Sequence, residues 1–266
     1  MPHISTAAGA IKFLQEYGRL SKAEAKNPKA VKAAIKQYQE EFGFLKVDGV
    51  AGDLTKKAMN IPRCGVSDRL PYREKLRWTK TSLTYQIAAL PPSQVLSTQD
   101  MADIIKLAGD KWTGCCGLLE WRPNKKGENP DVVISTGSGR RDGFDGPGRT
   151  LAWAELPDGR DTPKRLKYDV SEIWDVLTGQ GIPFLTTTEH ELGHIFGLDH
   201  SSNPADLMYP TLNKAISGPQ AGDVARMVAE YGNPESAPGP TGYKEYTLRV
   251  PGELVVLGWK LTEERK

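Results

Sequence analysis

The chain has 266 residues, of which 38% are hydrophobic, with 35 basic side chains against 33 acidic ones. That is enough apolar material for one medium domain and a small companion, and the near-balanced charge supplies no global attraction to nucleic acid or to an anionic membrane. No apolar run approaches the roughly 18 residues of a membrane span, and the opening MPHISTAAGAIKF lacks the charged-then-apolar pattern of a signal peptide.

In chain order, Ile11, Leu14 and Tyr17 ahead of Gly18 predict a first helix. After the Asn27-Pro28 start signal, Val31, Ala34, Ile35, Tyr38 and Phe42 recur at helical spacing, with Gly43 where a C-cap belongs. Asp53 ahead of LTKKAM opens a third helix, and three such short helices carry too little core to stand without a neighbour. PRCGVSD, residues 62–68, then sets Cys64 alone. Three cysteines cannot all pair within one chain, so at least one is free, intermolecular or on a metal. Cys115 and Cys116 are adjacent, which leaves two free thiols or a strained vicinal disulfide open.

From Trp78 the pattern changes. SLTYQIA alternates like a strand, Thr98–Trp112 reads as a helix and PDVVIST as a short buried strand. A glycine-rich loop, GSGRRDGFDGPGRT, precedes LAWAEL, which has strand character. The expected fold class is α+β, a mixed twisted sheet with long helices. An irregular stretch from Pro204 leads into a last helix, GDVARMVAEYG; NPESAPGPTG has linker composition, and YTLRVPGELVVLGW predicts a hairpin turning at Pro251-Gly252.

The chemistry concentrates in HELGHIFGLDH, residues 190–200. On a helix, His190 and His194 lie one turn apart on one face, so both imidazoles reach one metal while Glu191 points beside it. Gly197 can stop the helix at positive φ and let the chain return His200 as a third nitrogen. Three protein ligands leave zinc a fourth position. The chain holds only four histidines, so the coincidence of three in this pattern is specific.

With LMYP at 207–210, WTKTSLTYQI, DGFDGPGRTLAWA and PRCGVSD, residues 5–232 resemble the matrixins, the matrix metalloproteinase family of the metzincin clan. AIKQYQEEFGFLKVDGVAGDLTKKAM is similar to the peptidoglycan-binding-type three-helix module, which also serves as a propeptide. The resemblance implies a helical propeptide with a cysteine switch (1–71), a metzincin catalytic domain (72–232), and a linker with a short hairpin or tail (233–266). It implies a latent zinc endopeptidase in which the Cys64 thiolate takes zinc's fourth position, Arg63 helps hold the segment, and an activating protease cuts between Asp68 and Trp78, at Arg69, Arg73, Lys75 or Arg77. Ser67 stands where the family has proline. Glu191 becomes the general base and acid, Met208 the apolar floor beneath the histidines, and LAWA the rim along which protein or peptide substrates lie. A specificity pocket is expected behind His190, walled by residues 210–212, with Leu212 in place of the usual tyrosine.

The family's structural zinc would fall on Ser138, Arg140, Trp153 and Lys167, none a normal zinc ligand, so one zinc is expected, with Trp153 and Lys167 filling the vacated positions by packing and charge. The resemblance assigns one structural calcium to Asp145, Gly146, Gly148, Thr150, Asp169 and Glu172, whereas Arg165 removes a second calcium site. It further implies a secreted, extracellular monomer with no nucleic-acid partner. Two other readings stay open: a cell-wall-targeted metalloprotease whose N-terminal module binds peptidoglycan, and a zinc protein without turnover.

Overall fold

The computed structural model describes residues 3–69, 77–80, 82–116, 120–160, 162–175, 181–232, 244–250 and 253–259, the last two as backbone. Two apolar cores form, one in the N-terminal helices and one in the larger unit.

The N-terminal unit consists of α1 (Ala7–Glu16), α2 (Pro28–Glu40) and α3 (Asp53–Met59). Side chains cap the first two: Thr6 accepts from the Gly9 amide, and Asn27 from the Lys29 amide with Pro28 in the first turn. Phe13, Leu14, Tyr17, Ile35, Tyr38 and Met59 form the buried centre. The connection from α2 to α3 is tied to Gln39, whose buried amide accepts from the Asp48 and Gly49 N–H groups and donates to the Val50 carbonyl and Thr55 hydroxyl. Gly49 sits at φ 76°, and a Cβ there would lie 2.5 Å from the Lys32 side chain, so only glycine fits this turn. Gly43 is not the predicted C-cap. α2 ends earlier, with Glu41 still right-handed and the Phe42 amide donating to the Gln39 carbonyl in a tightened last turn, so no left-handed residue is required.

The larger unit is built on β1 (Ser82–Ile87), α4 (Thr98–Cys116), β2 (Glu120–Pro123), β3 (Val132–Gly137), β4 (Ala152–Ala154) and β5 (Lys164–Asp169). The sheet order is β2-β1-β3-β5-β4, parallel except for β4, which runs antiparallel to β5 at the edge. A short parallel pair, β6 (Trp174–Asp175) and β7 (Ile182–Pro183), leads into α5 (Phe184–Ile195); α6 (Ala221–Tyr231) follows. The strands β8 (Lys244–Val250) and β9 (Glu253–Trp259) pair antiparallel with Val250 opposite Glu253, as the expected hairpin requires. The linker at 233–242 and the cleavage stretch at 70–76 lie outside the described residues.

α4 runs one turn beyond its predicted end. Ser97 and Asp100 form a capping box at its start, and Gly109 leaves room for the Trp121 ring, which a Cβ would approach within 1.9 Å. Trp112 fixes α4 to α5 by donating its indole N–H to the Glu189 carbonyl at 2.7 Å. Cys115 and Cys116 are not joined in a disulfide, and both thiols lie against the Trp112 carbonyl. Among the described residues no helix is long and apolar enough to cross a membrane.

Candidate metal centre

Every residue of α5 is buried. His190 and His194 stand one turn apart with ring centroids 5.0 Å from each other. The helix closes in a Schellman arrangement: the Gly197 amide donates to the His194 carbonyl and the Leu198 amide to the Gly193 carbonyl, with Gly197 at φ 98°. That reversal brings the His200 ring to 5.4 Å from His190 and 4.8 Å from His194. The ligand atoms of His190, His194, His200 and Cys64 all lie within 4.8 Å of one another.

The second nitrogens decide how the rings present themselves. Nδ1–H of His190 donates to the Leu207 carbonyl at 2.8 Å and Nδ1–H of His194 to the Leu198 carbonyl at 2.7 Å. A carbonyl only accepts, so both Nε2 atoms are left as bare lone pairs facing the centre. His190 Nε2 and His200 Nε2 have no hydrogen-bond partner although buried, a state that costs about 1–3 kcal/mol per group if nothing fills it. Burial, with the neighbouring imidazoles adding, lowers His190 to about 3 and His194 and, chiefly through burial, His200 below the usual range, so the rings are neutral, the form that binds metal. Three neutral imidazoles and one sulfur fit tetrahedral zinc. Glu191 lies beside this set, both oxygens buried and without a well-formed hydrogen bond; burial raises it to about 8, the adjacent Cys64 thiol acting the opposite way.

Met208 is fully buried under the helix: a Cβ on Gly193 would lie 2.2 Å from its sulfur. A residue with no signal in the pattern holds that turn. Asp223, at the start of α6, accepts from the Leu207 and Met208 amides while completing a capping box with Gln220.

Residues 62–65 lie between the sheet edge and the 210–212 segment, bonded to both. On the β4 side the Arg63 amide donates to the Arg149 carbonyl, Leu151 to Arg63, and Gly65 to Ala152; on the other, Cys64 donates to Pro210 and Leu212 to Pro62. The segment runs parallel to the sheet edge and antiparallel to the wall. Cys64 Sγ comes 3.4 Å from His194 Nε2 and accepts from the Val66 amide. Burial, and after it the Glu191 carboxylate, raises its thiol well above the ordinary value, whereas a coordinated cation deprotonates a thiol outright. Arg63 is 1% exposed, paired with Asp68 and stacked 3.7 Å from the Tyr17 ring centroid. Arg19 bridges Asp68 and Glu41, and Asp68 Oδ1 stands 3.3 Å from His200 Nδ1. Tyr17 and Thr150 share a buried hydroxyl contact at 2.8 Å. Behind His190 a cavity is lined by Leu151, Thr186, Glu191, Leu212 and Ile216.

The calcium candidates are arranged differently from a gathered set. Among the described residues the one cluster suited to hold a metal is the His–Cys group. Asp145 pairs with Arg149 and accepts from the Thr150 amide. Glu172 accepts from the Gly148 amide at 2.7 Å. Burial raises Glu172 to about 7, with the Asp169 and Asp145 charges contributing, and Asp169 Oδ2 is buried with no partner. Gly146 and Gly148 take φ 89° and 99°.

Nearby, Asp142 gathers the groups at the four non-ligand positions. Lys167 Nζ donates to Asp142 Oδ1 at 2.7 Å, the Trp153 indole to its carbonyl at 2.7 Å and the Ser138 amide to its Oδ2, while Arg140 opens the same short turn. Lys167 and Trp153 are register partners on β5 and β4, and Arg165 pairs with Glu155. Lys167→Met is expected to speed amide exchange across 138–143 and lower Tm by a few degrees while zinc content stays the same; unaltered exchange in that loop would contradict the tether.

A buried helix presenting two histidines, with a third returned by the turn that follows it, under the edge of a mixed sheet defines a metal-dependent class of protein. The matrixin family model matches residues 77–232, and the model described as a peptidoglycan binding domain matches 12–59. Interstitial collagenase A of Mus musculus is 36% identical over 210 residues, 75% of this chain and 44% of the relative. Matrix metalloproteinase-20 of Homo sapiens is 37% identical over 186 residues, 66% of this chain and 36% of the relative. Human matrilysin is 34% identical over 195 residues, 71% of each. The chain belongs to the matrixin family, and it spans about half or less of the length of the collagenase and of matrix metalloproteinase-20.

Proposed function

We propose that this protein is a zinc-dependent endopeptidase made as a latent zymogen, with residues 1–71 as propeptide, 72–232 as catalytic domain and 233–266 as linker and hairpin. The observation that carries the reading is the seat of Cys64: its sulfur closes the set of His190, His194 and His200 while its backbone fills the cleft. Zinc held by those residues supplies Lewis acidity, polarising a carbonyl and lowering the pKa of water toward neutrality. Glu191, adjacent but outside the ligand set, takes a proton from water and returns it to the leaving amine. Met208 and Asp223 keep the histidines in place from below.

The way residues 62–65 bind supports a protein substrate. Both walls of the cleft offer backbone donors and acceptors to an extended chain, and a peptide freed of competition would pair with the same groups. Cutting between Asp68 and Trp78 would release the segment, and Arg69 and Arg77 at the ends of that stretch suit a trypsin-like activating protease. Extracellular action as a monomer is part of the same proposal. New peptide ends in a denatured protein, seen only after the propeptide is removed, test it; intact substrate after removal would contradict it.

One zinc per chain is expected by elemental analysis, and one calcium at Asp145, Gly146, Gly148, Thr150, Asp169 and Glu172. The repulsion among three buried carboxylates and the partnerless Asp169 Oδ2 support a cation there, with the Asp145–Arg149 pair rearranging to admit it. A calcium-selective chelator should lower Tm, and Asp169→Ala should reproduce the loss with zinc unchanged; a melting curve indifferent to calcium would remove the site.

The peptidoglycan-domain match favours a second reading, in which residues 12–59 anchor the enzyme to cell wall. Against it, Tyr17 of that module already bonds Thr150, and Arg19, paired with Glu41, is tied to Asp68 beside His200. Retention of the full chain on murein would support anchoring.

A further inference from the structure

The helix that carries His190 and His194 is joined to α4 by a buried ion pair. Lys111 of α4 donates from Nζ to Glu189 Oε1 at 2.5 Å, with side chains 10% and 0% exposed. Burying two charges costs several kcal/mol apiece, and apolar substitutes of equal volume commonly match or exceed such a pair in stability. The surroundings are apolar, with Trp112, Leu185 and Leu192 in the same core. Stability alone therefore gives little reason for charge here.

The second oxygen supplies a reason. Glu189 Oε2 accepts from the Gly218 amide at 2.6 Å, and Lys111 Nζ also reaches the Ser217 hydroxyl at 3.4 Å. Gly218 is at φ 74°, and a Cβ there would come 3.6 Å from the Lys111 stem, so loop and lysine are in close contact. One turn before His190, Thr186 donates to the Ile216 carbonyl at 3.2 Å. The loop over 213–218 is thus hung from α5 at two points, and its Asn213 and Ile216 line the cavity behind His190. Glu189 is the residue immediately before His190, so the pocket wall and the metal-facing imidazoles are referred to one rigid helix.

We propose that Lys111 and Glu189 are a positioning pair that sets the depth of the pocket by fixing the 213–218 loop to α5, and so selects which substrate side chain the pocket accepts. This rests on the peptidase reading above. It assigns the pair no part in the chemistry: neither residue belongs to the converging ligand set or lines the cavity.

The test compares parent, Glu189→Gln and the double variant Lys111→Met with Glu189→Leu, all as full chains. The double variant replaces charge by apolar volume and should fold with Tm at or above the parent's and one zinc per chain. Its Gly218 amide should nevertheless exchange faster, and Glu189→Gln, which keeps an acceptor for that amide, should restore most of the protection. After trypsin processing, peptides differing in one side chain from Gly through Leu to Phe should show KM raised about tenfold for the large side chains, with kcat within about twofold and the Gly peptide unaffected. Unchanged Gly218 exchange in the double variant, or a uniform loss on every peptide, would overturn the proposal. A parent that cleaves no peptide would refute the peptidase reading, and the exchange measurement would still decide whether the pair holds the loop.

Discussion

Glu191→Ala is expected to keep its zinc and lose peptide hydrolysis by about two to four orders of magnitude. The side chain stands outside the ligand set, since the four atoms that converge are Cys64 Sγ and one nitrogen each from His190, His194 and His200. Both imidazoles on α5 are oriented by the Leu207 and Leu198 carbonyls, so truncating Glu191 leaves ligand geometry intact. What vanishes is a fully buried carboxylate, the group placed to take up and return a proton beside the ligand set. Removing a desolvated carboxyl without a well-formed hydrogen bond should cost no stability, so Tm at or above the parent's is expected. A zinc-loaded variant with near-parental turnover would take the proton-transfer role from Glu191.

Cys64→Ser is expected to remove latency: the unprocessed full chain should hydrolyse peptides, and on standing should cut its own propeptide. The magnitude turns on how much besides sulfur holds the segment. Five backbone hydrogen bonds join residues 62–65 to the two walls, each worth about 0.5–1.5 kcal/mol net, and Asp68 beside His200 adds a further contact. The variant should therefore start below the activity of the processed enzyme and rise to it as the propeptide is lost. The same latency in parent and variant would show that backbone pairing, not the thiol, blocks the cleft.

The site was more legible in the sequence than the fold around it. His190, His194, Gly197 and His200 are fixed by the period of one helix and by one glycine that must take positive φ, both local rules. Cys64 could be assigned only by resemblance, because its seat depends on β4 and the 210–212 wall. β5, KRLKYD, gave no strand signal: Lys164 and Asp169 break the apolar alternation yet are buried, Lys164 against Asp158 and Asp169 against Ser171. β2 has four residues and was too short to read. Gly43 misled because a glycine near a helix end is only sometimes its cap. Lys111 and Glu189 are 78 positions apart, and no local pattern joins them before α4 and α5 are packed. Asp145 illustrates the converse: the resemblance assigns it to calcium, and the fold also sets Arg149 against it.

X-ray absorption at the zinc edge of the full chain tests the central claim most directly. One sulfur at about 2.3 Å and three nitrogens at about 2.0–2.1 Å are expected before processing. After the propeptide is cut and removed, the sulfur shell should vanish, leaving light atoms alone, and peptide hydrolysis should appear in the same sample. A zymogen spectrum without sulfur, or a sulfur shell that survives removal of residues 1–71, would contradict the account.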